Sequence, residues 1–415
     1  MGDSGTRTPP GGAGTDTPTP WGLLLLLMAL TAIGPTTLNI IVPAIPALTH
    51  RLGSDTATVQ LTVSIYLLAI AAGQLLMGPL SDRFGRRPVL LSGLALTAAA
   101  SVLAIVVSTV ATLILARVLQ AIGASAGIVV GRAIIRDLFD RNRAAAMIGL
   151  VATVMVVVPS VGPLIGGVLE TSFGWESIFV FIAGTSLVVL AWTALTLPET
   201  AGAHVSEAGR EGFARDLARL GANASFVGYV LVAALGSATF FAFLGGSPHV
   251  VITLMQHSSA EYGIWFAASS IGYMAGNYAA SRVSTRHGID RPIWWGIGIE
   301  AAGVAGSTLL AAFALHWGAI GVFLPQAVIS FGNGLMLPGA IAGAVSVRPQ
   351  AAGTAAGIVG FAQMALGAAM TQYGGTLLAG AASALPLAIL MDAIVVVLAL
   401  SFALLVRPVS ARRSA

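Results

Sequence analysis

The feature that most constrains the fold of this chain is a series of long apolar stretches. Each is about 20 residues long, the length at which an α-helix crosses a hydrocarbon core of roughly 30 Å. Hydrophobic residues make up 56% and charged residues only 9% of the 415 residues, which is far from the balance of a water-soluble domain. The stretches are continuous rather than alternating, which predicts helices and not the strands of a barrel. We predict twelve membrane-spanning helices, at residues 21–45, 58–80, 88–110, 112–135, 146–169, 175–197, 224–250, 261–281, 292–315, 318–340, 351–376 and 384–406.

The 20 basic residues, all of them arginines, test this number of spans, because a missed span would exchange the sides of all later loops. Arg51 lies in an odd-numbered loop, and Arg117 and Arg132 lie within the fourth span. The others lie in the termini and the even-numbered loops, at Arg7, Arg83, Arg86, Arg87, Arg136, Arg141, Arg143, Arg210, Arg215, Arg219, Arg282, Arg286, Arg291, Arg348, Arg407, Arg412 and Arg413. This asymmetry predicts that both termini are cytoplasmic. The net charge of +4 therefore reflects membrane topology, and no clustered basic domain indicates nucleic-acid binding.

The longest hydrophilic segment divides six spans from six. We predict an all-α membrane protein with two pseudo-symmetric six-helix bundles, 21–197 and 224–406, joined by a cytoplasmic linker at 198–223. Residues 211–220 in the linker have an apolar face, which fits an interfacial helix and an ordinary solvated helix equally well. The Gly, Pro and Thr content of residues 1–20 predicts a disordered cytoplasmic tail, and residues 407–415 form a second tail.

Loops two and eight are related in sequence. Residues 80–88 read LSDRFGRRP, and residues 283–292 read VSTRHGIDRP, so that Ser, Arg, Gly, Arg and Pro recur in the same order. Their equivalent positions in the two halves indicate duplicated bundles with a path between them.

Three motifs in the N-terminal half resemble those of a known family. Residues 78–88 (GPLSDRFGRRP) resemble the loop-two signature of the major facilitator superfamily. Residues 115–123 (LARVLQAIG) and 162–167 (GPLIGG) resemble motifs of its twelve-span drug:proton antiporters. The runs 34–46 and 131–139 are similar to the bicyclomycin and chloramphenicol resistance branch. The resemblance implies a rocker-switch exporter of the bacterial inner membrane that exchanges a drug-like substrate for protons, with no cofactor beyond the proton gradient.

The loop-two signature suggests a gate at the cytoplasmic ends of helices two and three. The residues concerned are Gly78, Asp82, Arg83, Gly85, Arg86, Arg87 and Arg136. Asp82 is expected to bond Arg136 or a helix terminus and to hold the two bundles together. A purely topogenic role for the arginines remains the alternative.

The fifth span is rich in small residues and proline. Gly162, Pro163, Gly166 and Gly167 remove side chains and one backbone donor, which predicts close packing and a kink. A special role in antiport rests on the resemblance.

An arginine inside a span costs about 2.5–3.5 kcal/mol on insertion scales, so Arg117 should face a wet cavity or a partner. It is a candidate for organising the proton or substrate site, and a snorkelling or helix-pairing arginine is the alternative. Gln120, three residues on, shares its helical face.

The first span contains Asn39 where related exporters commonly have an acidic residue, and an amide does not titrate. Three other groups are therefore candidate proton carriers: Glu300 in span nine, Asp392 in span twelve and His249 near the outer end of span seven. The superfamily fold places spans nine and twelve at the periphery of the bundle, and a histidine near a helix end is more often structural.

Aromatic and amide side chains near the midplane suit an amphipathic ligand. The candidate substrate contacts are Asn39, Tyr66, Phe240, Phe241, Phe243, Gln326 and Asn333. Because span one has no carboxylate, neutral or weakly polar compounds such as phenicols are favoured over cationic drugs.

Other functions are less compatible with the sequence. Residues 123–127 (GASAG) match the G-x-S-x-G pattern of hydrolases, but they lie inside a predicted membrane helix and not in a strand-to-helix turn. The alternatives are a facilitator that imports a small metabolite and a non-transporting membrane receptor. The expected partners are a small molecule, protons and the lipid bilayer, with no nucleic acid, and we expect a monomer.

Overall fold

The computed structural model describes residues 21–406 except 107–108, 140, 153, 201–217, 314–316 and 349–350. Both predicted tails and most of the possible interfacial helix lie outside the described residues. The described residues are helical and contain no strand. The helices of the N-terminal half are α1 Trp21–Asn39, α2 Ile45–Arg51, α3 Thr56–Phe84, α4 Arg86–Ile105, α5 Val110–Leu138, α6 Arg141–Ala152, α7 Val154–Phe173 and α8 Glu176–Thr196. Those of the C-terminal half are α9 Ala224–Pro248, α10 Ser259–His287, α11 Asp290–Phe313, α12 Gly318–Ser346, α13 Ala352–Leu377 and α14 Leu385–Ser401.

The predicted twelve-span architecture is confirmed. Ten helical segments of the described chain are long and apolar enough to cross a membrane. The fifth span corresponds to α7, which has 20 residues, and the eighth to α10, which has 29 residues. α10 is less apolar because serine, glycine, tyrosine and asparagine residues are distributed along it. Several helices extend beyond the predicted spans, since α3 and α5 continue through the polar residues that border their loops.

The helices pack as two bundles. In the N-terminal bundle α5 packs against α1, α3 and α4, and in the C-terminal bundle α12 packs against α10, α11 and α9. The bundles meet where α3 packs on α13 and where α7 packs on α10.

Hydrogen bonds between the bundles lie at the helix ends that adjoin odd-numbered loops. Ser64 Oγ donates to Gln372 Oε1 at 3.0 Å, and Gln372 Nε2 donates to the carbonyl oxygen of Ala57 at 2.8 Å. On the other seam, Ser259 Oγ donates to the carbonyl oxygen of Pro43 at 3.0 Å. The two bundles are therefore joined on the odd-loop face of the molecule.

Candidate functional site

A cavity with about 1250 Å³ of space not filled by protein atoms lies between the two bundles. Residues of α1, α3, α5 and α7 line one wall, and residues of α9, α10, α12 and α13 line the other. Gln74 in this lining is ten residues further along α3 than Ser64, which is about 15 Å along a helix axis. The cavity thus lies on the even-loop side of the contacts that join the bundles.

Four of the predicted substrate contacts line this cavity: Asn39, Phe240, Phe241 and Asn333. Asn39 is the last residue of α1, and its Nδ2 donates to the carbonyl oxygen of Pro35 at 2.8 Å. Its Oδ1 has no hydrogen-bond partner among the described residues. This oxygen is buried, and it can accept a hydrogen bond from a ligand only if the side chain turns toward the cavity.

Three predicted contacts lie outside the cavity lining. Tyr66 is fully buried, and its hydroxyl donates to the carbonyl oxygen of Gly34 at 2.9 Å. Phe243 packs edge-on against Phe323, with ring centroids 5.7 Å apart. Gln326 is buried, and its Nε2 lies 3.4 Å from Ser330 Oγ. The sequence indicates how deep in the membrane a residue lies, but not which side of its helix faces the cavity. This explains why these three residues do not line it.

The cavity wall also contains polar residues that the sequence analysis did not select. Gln363 Nε2 donates to Ser237 Oγ at 2.7 Å, which connects α13 to α9, and Gln74, Ser160 and Tyr273 also line the wall. None of them lies within one of the motifs. The available signal was a glutamine in the middle of a predicted span, where a polar side chain is costly.

Arg117 is fully buried in the N-terminal bundle. Its Nη1 donates to the carbonyl oxygen of Thr37 and to Gln120 Oε1, both at 2.9 Å, and its Nε donates to the carbonyl oxygen of Thr62 at 3.2 Å. The guanidinium carbon lies 4.3 Å from the ring centroid of Tyr66. Among the described residues Arg117 forms no ion pair with a carboxylate. The sequence predicted that Arg117 faces either a wet cavity or a partner, and in the structure it contacts several partners.

Two links extend this arrangement. Gln120 Nε2 donates to Ser101 Oγ at 2.7 Å, which anchors α5 to α4. Tyr66, under the guanidinium, bonds the carbonyl of Gly34, and Gly34 lines the cavity. Arg117 is thus connected to the cavity wall through one aromatic side chain.

The loop-two motif forms a network within the N-terminal half. Arg86 binds Asp82 and donates from Nε to Asp137 Oδ2 at 3.0 Å. Glu199 accepts the backbone N–H of Arg86 at 2.8 Å and that of Arg87 at 3.2 Å, which caps the start of α4. Sequence reasoning assigned no role to Asp137 or Glu199, because neither lies within the motif.

Other members of that motif have different surroundings. Asp82 pairs with Arg86. The expected contact between Asp82 and Arg136 is absent from the described structure. Gly85 has φ of 97°, a conformation that favours glycine, at the turn between α3 and α4. A Cβ at Gly78 would approach nothing closer than Val129 at 3.9 Å. The Arg83 guanidinium lies over the ring of its neighbour Phe84.

The glycines of the fifth span lie at two interfaces. A Cβ on Gly166 would come within 1.9 Å of the carbonyl oxygen of Ile40, and one on Gly167 within 2.0 Å of that of Ser259. A Cβ on Gly162 would come within 2.9 Å of the Cβ of Asn39. A Cβ on Gly263 of α10 would come within 2.5 Å of the carbonyl oxygen of Pro163. α7 therefore packs closely on α1 with one face and on the C-terminal bundle with the other.

The three candidate proton carriers differ in position. His249 begins a π-helical turn, His249–Leu254, and does not line the cavity. Asp392 is half-buried and accepts a hydrogen bond from Thr308, where α14 packs on α11. Glu300 is fully buried, and its Oε1 accepts from Asn333 Nδ2 at 3.1 Å. Glu300 is the one of the three that contacts a residue of the cavity wall.

Comparisons with known proteins agree with this architecture. Residues 24–372 match the family model described as Major Facilitator Superfamily. The chain is 32% identical over 331 residues to a chloramphenicol resistance protein of Pseudomonas aeruginosa, covering 79% of this chain and 76% of the relative. It is 31% identical over 350 residues to multidrug resistance protein D of Escherichia coli strain K12, covering 81% and 84% of the two chains. A bacterial homologue of the human lysosomal transporter Spinster, crystallised inward-facing and unoccupied, superposes with a TM-score of 0.74 at 16% identity, covering 94% of this chain and 98% of that one.

Proposed function

The chain belongs to the Major Facilitator Superfamily, and we propose that it exports small amphipathic, drug-like compounds in exchange for protons. It is a secondary transporter of the bacterial inner membrane with multiple spans, and not an enzyme. Two of its relatives are named for resistance to chloramphenicol and to multiple drugs, which supports export over uptake.

The observation on which this proposal depends is the composition of the cavity wall. Helices of both bundles contribute, and the side chains are apolar, hydroxyl or amide, with no charged residue among the described residues of the lining. An uncharged pocket with a few hydrogen-bonding groups suits a neutral ligand of moderate polarity, because no charge on the ligand needs to be balanced. Phenicol- and bicyclomycin-like compounds have this character.

Alternating access follows from where the bundles touch. The contacts of α3 with α13 and of α7 with α10 close the odd-loop face. To release a ligand there, these contacts must separate while the even-loop face closes, which is a rigid-body movement of one bundle against the other. We place the even-loop face and both termini in the cytoplasm, on the basis of the arginine distribution.

The test is accumulation of radiolabelled chloramphenicol in exporter-deficient bacteria that produce the protein, compared with cells carrying an empty vector, with and without a protonophore. We expect lower accumulation in the producing cells and loss of the difference when the protonophore is present. Higher accumulation than in control cells would indicate an uptake carrier. Unchanged accumulation, together with binding of chloramphenicol to the purified protein, would indicate a receptor.

A further inference from the structure

We propose that Glu300 is the group that binds the exchanged proton, and that Asn333 connects its protonation to the ligand cavity. This inference rests on the proposed exchange of drug for protons and names the residue that makes the exchange possible.

The first observation is the position of the carboxyl group. Glu300 lies near the middle of α11 and is 0% exposed. Asn333 Nδ2 donates to its Oε1 at 3.1 Å. Asn333 is 3% exposed and lines the cavity. One side chain therefore separates the carboxyl group from the cavity.

The second observation is that the surroundings suit a neutral carboxylic acid. Oε2 of Glu300 has no donor among the described residues. The hydroxyl of Thr239, which donates to the carbonyl oxygen of Leu235 at 3.2 Å, lies beside the same carboxyl. Since that hydroxyl proton is already used, its oxygen can accept from a protonated Oε2. The protonated acid would thus satisfy both of its oxygens.

Among the described residues, no cation pairs with the ionised form of Glu300. α12 contains no ionisable side chain between Gly318 and Ser346. On α14, Asp392 is bound to Thr308, which lies eight residues from Glu300, or about 12 Å along α11. The other ionisable groups on packed helices are the tyrosines Tyr229 of α9 and Tyr262, Tyr273 and Tyr278 of α10, together with Glu261, Arg282, Arg286 and His287 near the ends of α10 and Asp290 and Arg291 at the start of α11.

A buried carboxylate without a cation is costly, so ionisation requires contact with water. In the state with the cavity open to the even-loop face, the Oε2–H bond breaks and a water molecule of the cavity takes the proton. In the opposite state, water on the odd-loop face returns a proton to the carboxylate. Drug and proton are exchanged because the ionised form of Glu300 is favoured in the first state and the protonated form in the second.

Asn333 is placed to couple this step to the ligand. Its Oδ1 has no hydrogen-bond partner among the described residues and faces Gly236, where an added Cβ would lie 2.9 Å away. A ligand donor that binds Oδ1 would turn the amide and expose the carboxyl to the cavity. Asn333 is therefore a positioning residue for Glu300.

The experiment compares two transport modes in proteoliposomes with radiolabelled chloramphenicol. Exchange of external label for internal unlabelled drug, without a gradient, measures movement of the ligand alone. Uptake driven by an imposed pH gradient measures coupling to protons. The variants are Glu300→Gln, which replaces the acid by an isosteric amide, and Asp392→Asn as the matched control on the neighbouring helix.

We expect Glu300→Gln to retain exchange and to lose gradient-driven uptake down to the level without a gradient, while Asp392→Asn retains both. Gradient-driven uptake by Glu300→Gln at the native rate would overturn the assignment and leave the exporter function intact. If the native protein itself shows neither mode, the proposed function fails for this ligand. In that case, or if Glu300→Gln does not reach the membrane, a second measurement decides the matter.

That measurement uses the native protein and a hydrophobic carbodiimide, which modifies protonated carboxyl groups in apolar surroundings. Peptides are then analysed by mass spectrometry. We expect modification of Glu300 that decreases as the pH is raised, with less at Asp392. Modification of Asp392 without Glu300 would overturn the assignment whatever the transported ligand is.

Discussion

Among the described residues, each bundle buries one arginine or carboxylic-acid side chain away from water, Arg117 in the first and Glu300 in the second, and their charges are opposite when both are ionised. In the N-terminal bundle, Arg117 is held by carbonyl oxygens, an amide and an aromatic face. In the C-terminal bundle, Glu300 is held by an amide beside a hydroxyl. A guanidinium does not lose its proton in proteins, whereas a carboxylate can become neutral. The charge of Arg117 is therefore permanent and must be stabilised by its surroundings, whereas the charge of Glu300 can be lost and regained.

The largest effect is expected from Arg117→Ala. It leaves the carbonyl oxygen of Thr37 and Oε1 of Gln120 without their donor, at about 1–3 kcal/mol for each buried group left unpaired, and it removes a further bond to the carbonyl oxygen of Thr62. We therefore expect a clear decrease in the melting temperature of the detergent-solubilised protein and loss of chloramphenicol export. Thermal unfolding followed by size-exclusion chromatography measures the stability.

The paired variant in the other bundle is Glu300→Gln. Its amide retains an oxygen for Asn333, so we expect a melting temperature close to that of the native protein. Equal decreases in the melting temperature for Arg117→Ala and Glu300→Gln would contradict the view that only Arg117 holds a charge that the fold must stabilise.

Much of the fold was accessible from the sequence, because lipid imposes a length and a composition on every span. The twelve spans followed from apolar length alone, and the arginine distribution predicted which loops lie on the same side of the membrane. Helix ends were less accurate. α3 continues to Phe84 beyond the predicted end at residue 80, because a polar loop residue does not end a helix that still has its backbone hydrogen bonds.

The candidate site was harder to derive. Asn39 and Asn333, selected as amide side chains near the midplane, lie in the cavity wall, and their contact with a substrate stays a prediction. Tyr66 was selected as an aromatic side chain near the midplane, but it contacts Arg117 and does not line the cavity. The link between Glu300 and Asn333 joins residues 33 positions apart. Nothing in a single sequence reports such a contact between helices.

The second prediction introduces a negative charge into the cavity wall on the side of the N-terminal bundle. Asn39→Asp introduces a carboxylate where the described lining has no charged residue. We expect efflux of the cationic dye ethidium to increase on the order of tenfold, equivalent to about 1.4 kcal/mol. Fluorescence of ethidium-loaded, exporter-deficient cells measures it, and Asn39→Ser is the uncharged control. An equal gain with serine would show that size, and not charge, limits the native protein.

The third prediction concerns how each bundle holds its even-loop face. In the N-terminal bundle, the exposed Glu199 caps α4 through two backbone N–H groups. Glu199→Ala should lower the free energy of unfolding by about 1 kcal/mol, since a capping acceptor and a favourable charge at a helix N-terminus are both lost. The loss should decrease at high salt, because an exposed charge is screened. A loss that is independent of salt would mean that the hydrogen bonds alone matter.

The smallest effect is expected at the corresponding place in the C-terminal bundle. There the Tyr229 hydroxyl donates to Asp290 Oδ1 at 2.6 Å and ties α9 to the start of α11. Tyr229→Phe keeps the ring against Gly343 and removes the hydroxyl. We expect a loss of about 0.5–1 kcal/mol, because one hydrogen bond between partly buried groups is removed. A loss larger than that of Glu199→Ala, measured in the same unfolding assay, would show that the C-terminal bundle is the one whose even-loop face is held more firmly.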